Sequence, residues 1–349
     1  MHTACRRGVL LVNLGSPDSP CEADVRRYLE EFLSDAKVLD MPAWARTLLL
    51  RAIILPFRPK KSAAAYREIW ASEGSPLVVT TRKVCEKLQE VAGMPVACAM
   101  RYGNPSIESA LEHLKKQGVR RLLLVPLYPH YAMSSYETVV EKVAACIKKI
   151  SPEMDWQTVP PFYDEPLYIR ALVESAKPFL DGGYQKLIFS FHGVPERHIR
   201  KGDITGSHCL AKPGCCEEVG HPAHARCYRM QTRATVRAFI KASGWPEEKC
   251  EIVYQSRFGL DRWIQPPADE VLRRLPSEGV REIALISPAF VADCLETLEE
   301  MAIRGREIFI GAGGTRYTVI PCLNEHPFWI EALAGYVKKW GTDGCFEKE

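Results

Sequence analysis

Short apolar runs alternate along the chain with longer segments of helical spacing. Segments such as 106–117 and 134–149 repeat their apolar positions with the period of a helix. Between such segments lie runs that are apolar on both faces and end at turn residues, as strands buried in a parallel sheet do. The alternation predicts an α/β fold with parallel sheets flanked by helices. The predicted strands are 9–14, 122–127, 187–191 and 283–287.

The second half of the chain resembles the first. Residues 118–125 resemble 279–286, and a helical segment precedes each of them. Two turn motifs recur in the same order, although the spacing between the paired motifs varies. They are Gly15-Ser16-Pro17 with Gly193-Val194-Pro195, and Arg101-Tyr102-Gly103 with Arg257-Phe258-Gly259.

The resemblance between the two halves predicts two similar lobes, at 1–180 and 181–325, followed by a C-terminal helix and tail at 326–349. Convergent strand and turn chemistry is the alternative. Because ligands of open α/β sheets bind beyond the carboxyl ends of the strands, two facing lobes predict a cleft lined by these turns.

Composition narrows the class of protein. The 349 residues are 46% hydrophobic and 26% charged, with a formal net charge of +3. These values exclude a disordered or coiled-coil chain and give no nucleic-acid footprint. No signal-peptide pattern is present, and no apolar stretch reaches the roughly 20 residues of a membrane span. The protein is expected to be cytoplasmic, with reduced or metal-bound thiols.

His192 follows a predicted buried strand directly, at the point where the chain enters the expected cleft. A histidine in that position is suited to accept a proton or to bind a metal ion. A structural histidine is the alternative.

Glu296 lies three residues after Asp293, as in a capping box, and the helix dipole alone accounts for a carboxylate there. The functional interpretation is that this turn faces the same cleft as His192. Asp293, Glu296 and Glu300 have helical spacings of three and four residues, which predict an acidic stripe that leads a cation inward.

Aromatic residues beside proline at strand ends predict an apolar pocket for a flat ligand. They are Tyr128 and Tyr131 in the first half of the chain, and Phe258, Trp263 and Phe290 in the second. Arg58, Arg101 and Arg257 would be available for ligand carboxylates. Motifs for nucleotide phosphates and for serine hydrolysis are absent from the sequence.

Residues 207–227 form an insert rich in cysteine, glycine and proline. A loop with so few apolar residues cannot be held together by a hydrophobic core and needs a cross-link or a bound metal instead. Its four cysteines suit a [2Fe–2S] cluster or a tetrahedral Zn²⁺. Its three histidines also allow a zinc site with both cysteine and histidine ligands. A loop of free cysteines that binds no metal is the alternative. The residues are Cys209, Cys215, Cys216 and Cys227, with His208, His221 and His224.

The stretch 41–61 combines arginine and lysine with leucine, isoleucine and tryptophan. This pattern is typical of a helix that lies in a membrane interface, and a buried helix is the alternative.

Taken together, the motifs resemble the ferrochelatases, which insert Fe²⁺ into a porphyrin. The ordered set covers nearly the whole chain and is far more specific than any one motif. It comprises 11–17, Tyr66–Trp70, 73–77, 100–105, 127–131, 190–197, 255–259 and 293–298.

The resemblance implies two Rossmann-like lobes, with Fe²⁺ and protoporphyrin IX as substrates and no organic cofactor. It places the invariant histidine of the family at His192, as proton acceptor or metal ligand, and the metal-site glutamate at Glu296, as proton relay or metal ligand. Many members have histidine at the position of Cys294, and others have tyrosine or methionine at Leu14. The implied porphyrin contacts are Leu14, Arg58, Tyr66, Arg101, Tyr102, Tyr128, Tyr131, Ser134, Trp263 and Phe290.

Some bacterial ferrochelatases carry an internal four-cysteine insertion that holds a [2Fe–2S] cluster, and the insert resembles it. A chelatase for another metal or for coproporphyrin, and a non-catalytic porphyrin or haem carrier, are the alternative functions. Peripheral membrane contact through 41–61 is also expected.

Overall fold

The computed structural model describes residues 6–257, 259 and 261–343. Phe258, one of the predicted pocket aromatics, lies outside these residues. The strands β1–β8 are, in order, Arg6–Ser16, Val96–Gly103, Val119–Pro126, Asp155–Thr158, Lys186–His192, Cys250–Gln255, Glu282–Ile286 and Arg316–Val319.

Helices connect these strands. The α-helices α1–α12 are, in order, Glu22–Ser34, Ala43–Leu49, Leu55–Ile69, Pro76–Ala92, Ile107–Lys116, Thr138–Ile150, Pro166–Leu180, Glu196–Gly202, Tyr228–Ser243, Ala268–Arg274, Arg306–Gly311 and Pro327–Asp343. Three segments are π-helical: Leu50–Ile54, Met133–Glu137 and Glu296–Gly305. Short 3₁₀ helices are Cys215–Glu217, Pro222–Arg226, Glu247–Lys249 and Leu275–Glu278.

The strands form two four-stranded parallel sheets, ordered β2-β1-β3-β4 and β6-β5-β7-β8. The central strands are buried on both faces, with Val9 to Val12 in β1 and Leu187 to Ile188 in β5 fully inaccessible. Continuous apolar runs therefore form the middle of each sheet, as expected for parallel strands covered by helices. The predicted α/β fold with two similar sheets is confirmed.

The repeat in the sequence is a repeat of topology. β1 and β5 occupy the same position in their sheets, and so do β3 and β7. In each half the third strand leads into a π-helical segment, which ends at Glu137, directly before Thr138, in the first half and begins with Glu296-Thr297 in the second. The shared strand order agrees with the prediction of two similar α/β lobes.

Contacts divide the described residues into two compact units. The first takes those of Met1–Leu127, Met133–Pro160 and Ile330–Glu349, and the second takes Tyr128–Ala132 and Pro161–Trp329. The sequence places a boundary near residue 180, whereas helix α7 lies in the second unit. There Tyr168 is fully buried and its hydroxyl donates to the Pro288 carbonyl oxygen over 2.5 Å.

Helix α12 adds most of its length to the first unit. Its buried Trp340 ring lies under two guanidinium groups, of Arg7 at 5.6 Å and Arg121 at 5.8 Å from the ring centre. Such cation–π contacts attach the end of the chain to the edge of the first sheet.

Helix α2, the π-helical segment that follows it and helix α3 expose a row of large apolar side chains. Trp44 is 73% exposed, Leu48 62%, Ile53 58% and Phe57 75%. Helix α2 contributes no buried residue, so the buried-helix interpretation fails for this part of 41–61. Among the described residues, no helix has the length and apolar content needed to cross a bilayer.

Candidate active site

His192 is the last residue of β5 and is half-buried, directly after five buried residues. Its Nδ1 atom lies 2.6 Å from the carbonyl oxygen of Gly193. Because a carbonyl oxygen can only accept, Nδ1 carries the hydrogen and Nε2 keeps its lone pair in the neutral ring. The backbone therefore selects the tautomer in which Nε2 can accept a proton or bind a metal ion.

Gly193 is required by close packing rather than by its backbone angles. A Cβ atom there would lie 2.8 Å from the Gln255 carbonyl oxygen and 3.2 Å from the Trp263 ring. A backbone bridge between Pro195 and Trp263 holds that ring in place. The Phe290 ring centre lies 6.4 Å from that of His192. Two of the predicted pocket aromatics thus lie close to this strand end.

Glu296 begins the π-helical segment Glu296–Gly305, and its carboxylate does not take part in a capping box. The Asp293 amide donates instead to Asn324 Oδ1 over 2.9 Å. The Asp293 carboxylate accepts from Asn324 Nδ2 at 2.6 Å and from Thr297 Oγ1 at 3.0 Å. The capping-box explanation for a glutamate at position 296 therefore fails, whereas Glu296 does lie in the first turn of its segment, where the helix dipole favours a carboxylate. π-helical turns are also common at functional sites.

Gln255 connects the histidine strand to the glutamate turn. This side chain, 2% exposed, ends β6 and pairs in register with His192. Its backbone carbonyl accepts from the Gly193 amide over 2.8 Å, and its side-chain oxygen accepts from Ser190 Oγ over 2.6 Å. Its side-chain amide donates to the Glu296 carbonyl over 2.9 Å. The sequence prediction missed this residue, although it stands in 255–259, one of the motifs that carry the family resemblance.

The remaining acidic residues of the predicted stripe already have partners. Glu300 accepts from the Ser256 amide at 2.9 Å and from the Ser256 hydroxyl, and it holds Ser256 in the left-handed region at a φ of +67°. Asp293 is held as described above. The role of the stripe in leading a cation inward therefore stays a prediction.

Cys294 lies fully buried beside Glu296. Burial raises the pKa of this thiol well above its usual value, and the adjacent Glu296 carboxylate, which accepts its hydrogen bond, raises it further. Cys294 is therefore a neutral hydrogen-bond donor to the glutamate rather than a thiolate ligand.

In the first unit, Arg101 and Tyr102 converge on Asp35. Arg101 pairs with Asp35 at 2.6 Å, and the Tyr102 hydroxyl donates to the same carboxylate over 2.8 Å. Burial works against the charged carboxylate, but hydrogen bonds from Thr138, Lys37 and Tyr102 and the charge of Arg101 outweigh it and lower the pKa of Asp35. The porphyrin-binding role of Arg101 and Tyr102 stays a prediction, because their polar groups already serve this network.

The other predicted contacts occupy different environments. In the first unit, Leu14 and Ser134 are half-buried, Tyr66 is buried and Arg58 is exposed. In the second unit, Tyr131 is buried and its amide donates to Gln231 Oε1 over 2.7 Å, while Tyr128 is half-buried. Arg257 is exposed and pairs with Asp269 and Glu270.

The cysteine insert is held by polar contacts to the backbone. The Asp203 carboxylate accepts from the His208 and Cys209 amides over 2.7 and 2.8 Å. The Cys215 carbonyl oxygen accepts from Nε2 of His208 at 2.8 Å and of His224 at 3.1 Å. These bonds fix the loop around its cysteines, in place of an apolar core.

The four cysteines of the insert are buried beside one another, and the centre predicted for them stays a prediction. All are at least 95% buried, and the Cys227 thiol hydrogen-bonds with both Cys209 and Cys216. Burial raises the pKa of Cys209 to about 11. Buried thiols that face one another in a polar loop are the donor set that iron or zinc uses. Beside them, ligand atoms of His208, Glu218 and His221 lie within 4.8 Å of one another, which keeps the mixed zinc site as an alternative.

Removing the Gln255 side-chain hydrogen bonds should weaken the second unit. Gln255→Leu leaves Ser190 Oγ and the Glu296 carbonyl buried without this partner, a change expected to lower the free energy of unfolding by about 1–3 kcal/mol per group. Urea unfolding measures the loss. Gln265→Leu, the same substitution at an exposed position, is the control, and equal stabilities of the two variants would contradict the role of Gln255.

Comparison with known proteins identifies the family of the chain. The ferrochelatase family model matches residues 6–340. The ferrochelatase of Opitutus terrae is 46% identical over 337 residues, which cover 96% of this chain and 97% of that one. The ferrochelatase of Azotobacter vinelandii is 47% identical over 327 residues, 93% of this chain and 96% of that one.

Among solved structures, SirB from Bacillus subtilis with Fe³⁺ superposes with a TM-score of 0.55 at 11% identity, covering 99% of this chain and all of that one. The cobalt complex of the sirohydrochlorin chelatase SirB from Bacillus subtilis subspecies spizizenii gives 0.53 at 12% identity, with the same coverage. At this identity the likeness concerns the fold alone. The family model and the two bacterial relatives establish that the chain belongs to the ferrochelatase family.

Proposed function

We propose that this protein inserts Fe²⁺ into protoporphyrin IX to form protohaem, the last step of haem biosynthesis, and that His192 and Glu296 carry the reaction. The observation that supports this most is the bonding around Gln255. It joins the strand that ends at His192 to the turn that begins at Glu296. The Gly193 carbonyl meanwhile leaves Nε2 of His192 with its lone pair.

The proton balance explains why two such groups are needed. Each Fe²⁺ that enters the ring replaces two pyrrole N–H protons, and the iron keeps its charge throughout. Neutral imidazole accepts a proton near neutral pH and releases it to water afterwards, so His192 Nε2 takes the pyrrole protons. The Glu296 carboxylate relays a proton or binds the entering ion, since Fe²⁺ accepts both carboxylate and imidazole ligands.

The macrocycle supplies the binding energy. Its flat apolar faces suit the Trp263 and Phe290 rings, which lie beside His192 and Gly193. Bending of the porphyrin ring exposes its nitrogen lone pairs to the metal. The binding energy of such aromatic contacts can offset the strain of the bent ring, which is on the order of 1–5 kcal/mol. Contacts from Tyr128, Tyr131, Leu14 and Ser134 belong to the same proposal, together with Arg58, Tyr66, Arg101 and Tyr102.

Replacing His192 should stop insertion without releasing the porphyrin. His192→Ala removes the proton acceptor, so the rate of Fe²⁺ insertion should fall by at least about 100-fold. Porphyrin affinity, measured by fluorescence quenching, should change little. Glu296→Gln should likewise slow turnover far more than it weakens porphyrin binding. His113→Ala, at an exposed histidine, is the control.

The same assay separates the alternatives. A chelatase for another metal or for coproporphyrin would prefer Co²⁺ or the second porphyrin when both are offered with Fe²⁺ and protoporphyrin IX. A carrier would bind porphyrin and insert nothing. Near-normal insertion by the His192→Ala protein would remove that residue from its proposed role.

We further propose that Cys209, Cys215, Cys216 and Cys227 hold a [2Fe–2S] cluster. Their burial and mutual hydrogen bonds support a shared centre. A cluster supplies a cross-link in a loop with few apolar residues, and that is the chemistry it adds here. The Asp203 and Cys215 backbone contacts would orient the cysteines before the metal arrives.

The cluster has a spectroscopic test. Purified protein should absorb in the visible region and give a rhombic electron paramagnetic resonance signal after reduction. Cys209→Ser should lose both signals, whereas Cys250→Ser, at a half-buried thiol outside the insert, should keep them. A colourless protein that contains one zinc ion would support the mixed zinc site instead.

We also propose that the exposed row Trp44, Leu48, Ile53 and Phe57 inserts into a membrane surface. Arg51, Arg58 and Lys60 are exposed in the same segment, so apolar insertion combines with attraction to anionic lipid. Such a contact would suit a product that dissolves poorly in water.

Vesicle flotation tests the membrane contact. The protein should float with vesicles of phosphatidylcholine and phosphatidylglycerol, and the double substitution of Trp44→Ser with Phe57→Ser should reduce the bound fraction at least about fivefold, since each large side chain contributes roughly 1.5–3 kcal/mol when buried. Val91→Ser, a 63% exposed residue of the same unit, is the control. Equal flotation of the two variants would refute the proposal.

A further inference from the structure

Two cysteines of the first unit form a pair that the proposed reaction does not use. Cys85 lies on α4 and is buried, and Cys98 lies on β2 and is half-buried. The Cys85 thiol donates a hydrogen bond to the Val96 carbonyl oxygen over 3.4 Å, and the Cys98 thiol lies near enough to interact with it. The two thiols are therefore neighbours, and neither is part of a disulfide.

Both cysteines line a cavity of about 390 Å³. Its wall also carries Arg82, Glu86 and His113. A cavity of this volume admits a small polar molecule, and the guanidinium of Arg82 favours negative charge on a nearby sulfur. The two thiols therefore lie beside each other, can be reached through the cavity and have the Arg82 guanidinium nearby.

The two thiols differ in their readiness to ionise. The neighbouring Cys85 thiol lowers the pKa of Cys98 despite its burial, and the charge of Arg82 lowers it further. The neighbouring Cys98 thiol and burial raise the pKa of Cys85. Cys98 is also the more exposed of the two, whereas the Cys85 hydrogen is held by the Val96 carbonyl oxygen. Cys98 is therefore the nucleophile of the pair, and Cys85 keeps its proton until the second step.

We propose that Cys98 and Cys85 form a dithiol site that reacts with hydrogen peroxide or a small organic hydroperoxide and closes to a disulfide. In the first step the Cys98 thiolate attacks one peroxide oxygen, an S–O bond forms and the O–O bond breaks. The leaving oxygen takes a proton from solvent and departs as water or an alcohol. Cys98 is then a sulfenic acid.

In the second step the Cys85 sulfur attacks the Cys98 sulfur. The S–S bond forms, the S–O bond breaks, and the hydroxide leaves as water with the proton of Cys85. The two thiols have given two electrons to the peroxide, and a thiol reductant reverses the change. The Cys85–Cys98 disulfide formed in this step joins α4 to β2 at the cavity wall.

Cys146 provides a comparison in the same unit. It is buried on α6, and burial together with a hydrogen bond to Glu108 raises its pKa to about 11. It is therefore a more deeply buried thiol than Cys98 that lacks the features proposed to activate Cys98.

Peptide mapping of the reduced holoprotein tests the proposal. Iodoacetamide at neutral pH should alkylate Cys98 at least about tenfold faster than Cys146. After treatment with near-stoichiometric hydrogen peroxide, blocking with N-ethylmaleimide and tryptic digestion without reductant, the peptides 84–87 and 88–101 should appear linked. Cys85→Ser should stop at a sulfenic acid on Cys98, trapped by dimedone.

Two results would overturn it. One is equal alkylation of Cys98 and Cys146 in the wild-type protein. The other is peroxide treatment that oxidises other thiols while 84–87 and 88–101 stay unlinked. Both are read from the unmodified chain, so they do not depend on how a variant folds, and neither depends on metal insertion.

Discussion

The hydrogen bonds of Gln255 are the constraint on which the candidate site depends. A buried amide must satisfy its donors and its acceptor, and leaving one unmade costs about 1–3 kcal/mol. The Gln255 side chain meets this demand by bonding to two different segments, the histidine strand β5 and the glutamate turn, while its backbone carbonyl accepts from Gly193 directly after β5. The satisfied side chain therefore fixes the position of β5 relative to the π-helical segment, and with it the attachment points of His192 and Glu296.

The two units repeat one local feature near the candidate site. In each half a glycine packs against a carbonyl of the neighbouring strand: Gly15, near the end of β1, against Tyr102, and Gly193, directly after β5, against Gln255. The residue before that glycine is the apolar Leu14 in the first half and His192, the proposed proton acceptor, in the second. The first unit instead uses its strand end for the Asp35 network, which ties Arg101 and Tyr102 to α1 and α6.

Much of this arrangement could be read from the sequence, because buried parallel strands are continuous apolar runs and the turns after them carry glycine and proline. The strands around 9–14 and 187–191 and the position of His192 follow from that pattern. Gln255 and Asp35 could not be found in the same way, since their importance comes from partners 41 and 66 residues distant that only the fold brings together. The capping-box explanation of Glu296 was wrong for the same reason: Asn324, which lies far along the chain, occupies the Asp293 amide.

The protonation of His192 tests the central claim most directly. Nitrogen-15 resonances of uniformly histidine-labelled protein, with His192 assigned by its loss in His192→Asn, report which ring nitrogen holds the hydrogen. The account predicts that the neutral ring carries it on Nδ1, bonded to the Gly193 carbonyl, and that Nε2 carries no hydrogen. A neutral His192 with its hydrogen on Nε2 would contradict the account, because the nitrogen proposed to take the porphyrin protons would already be occupied.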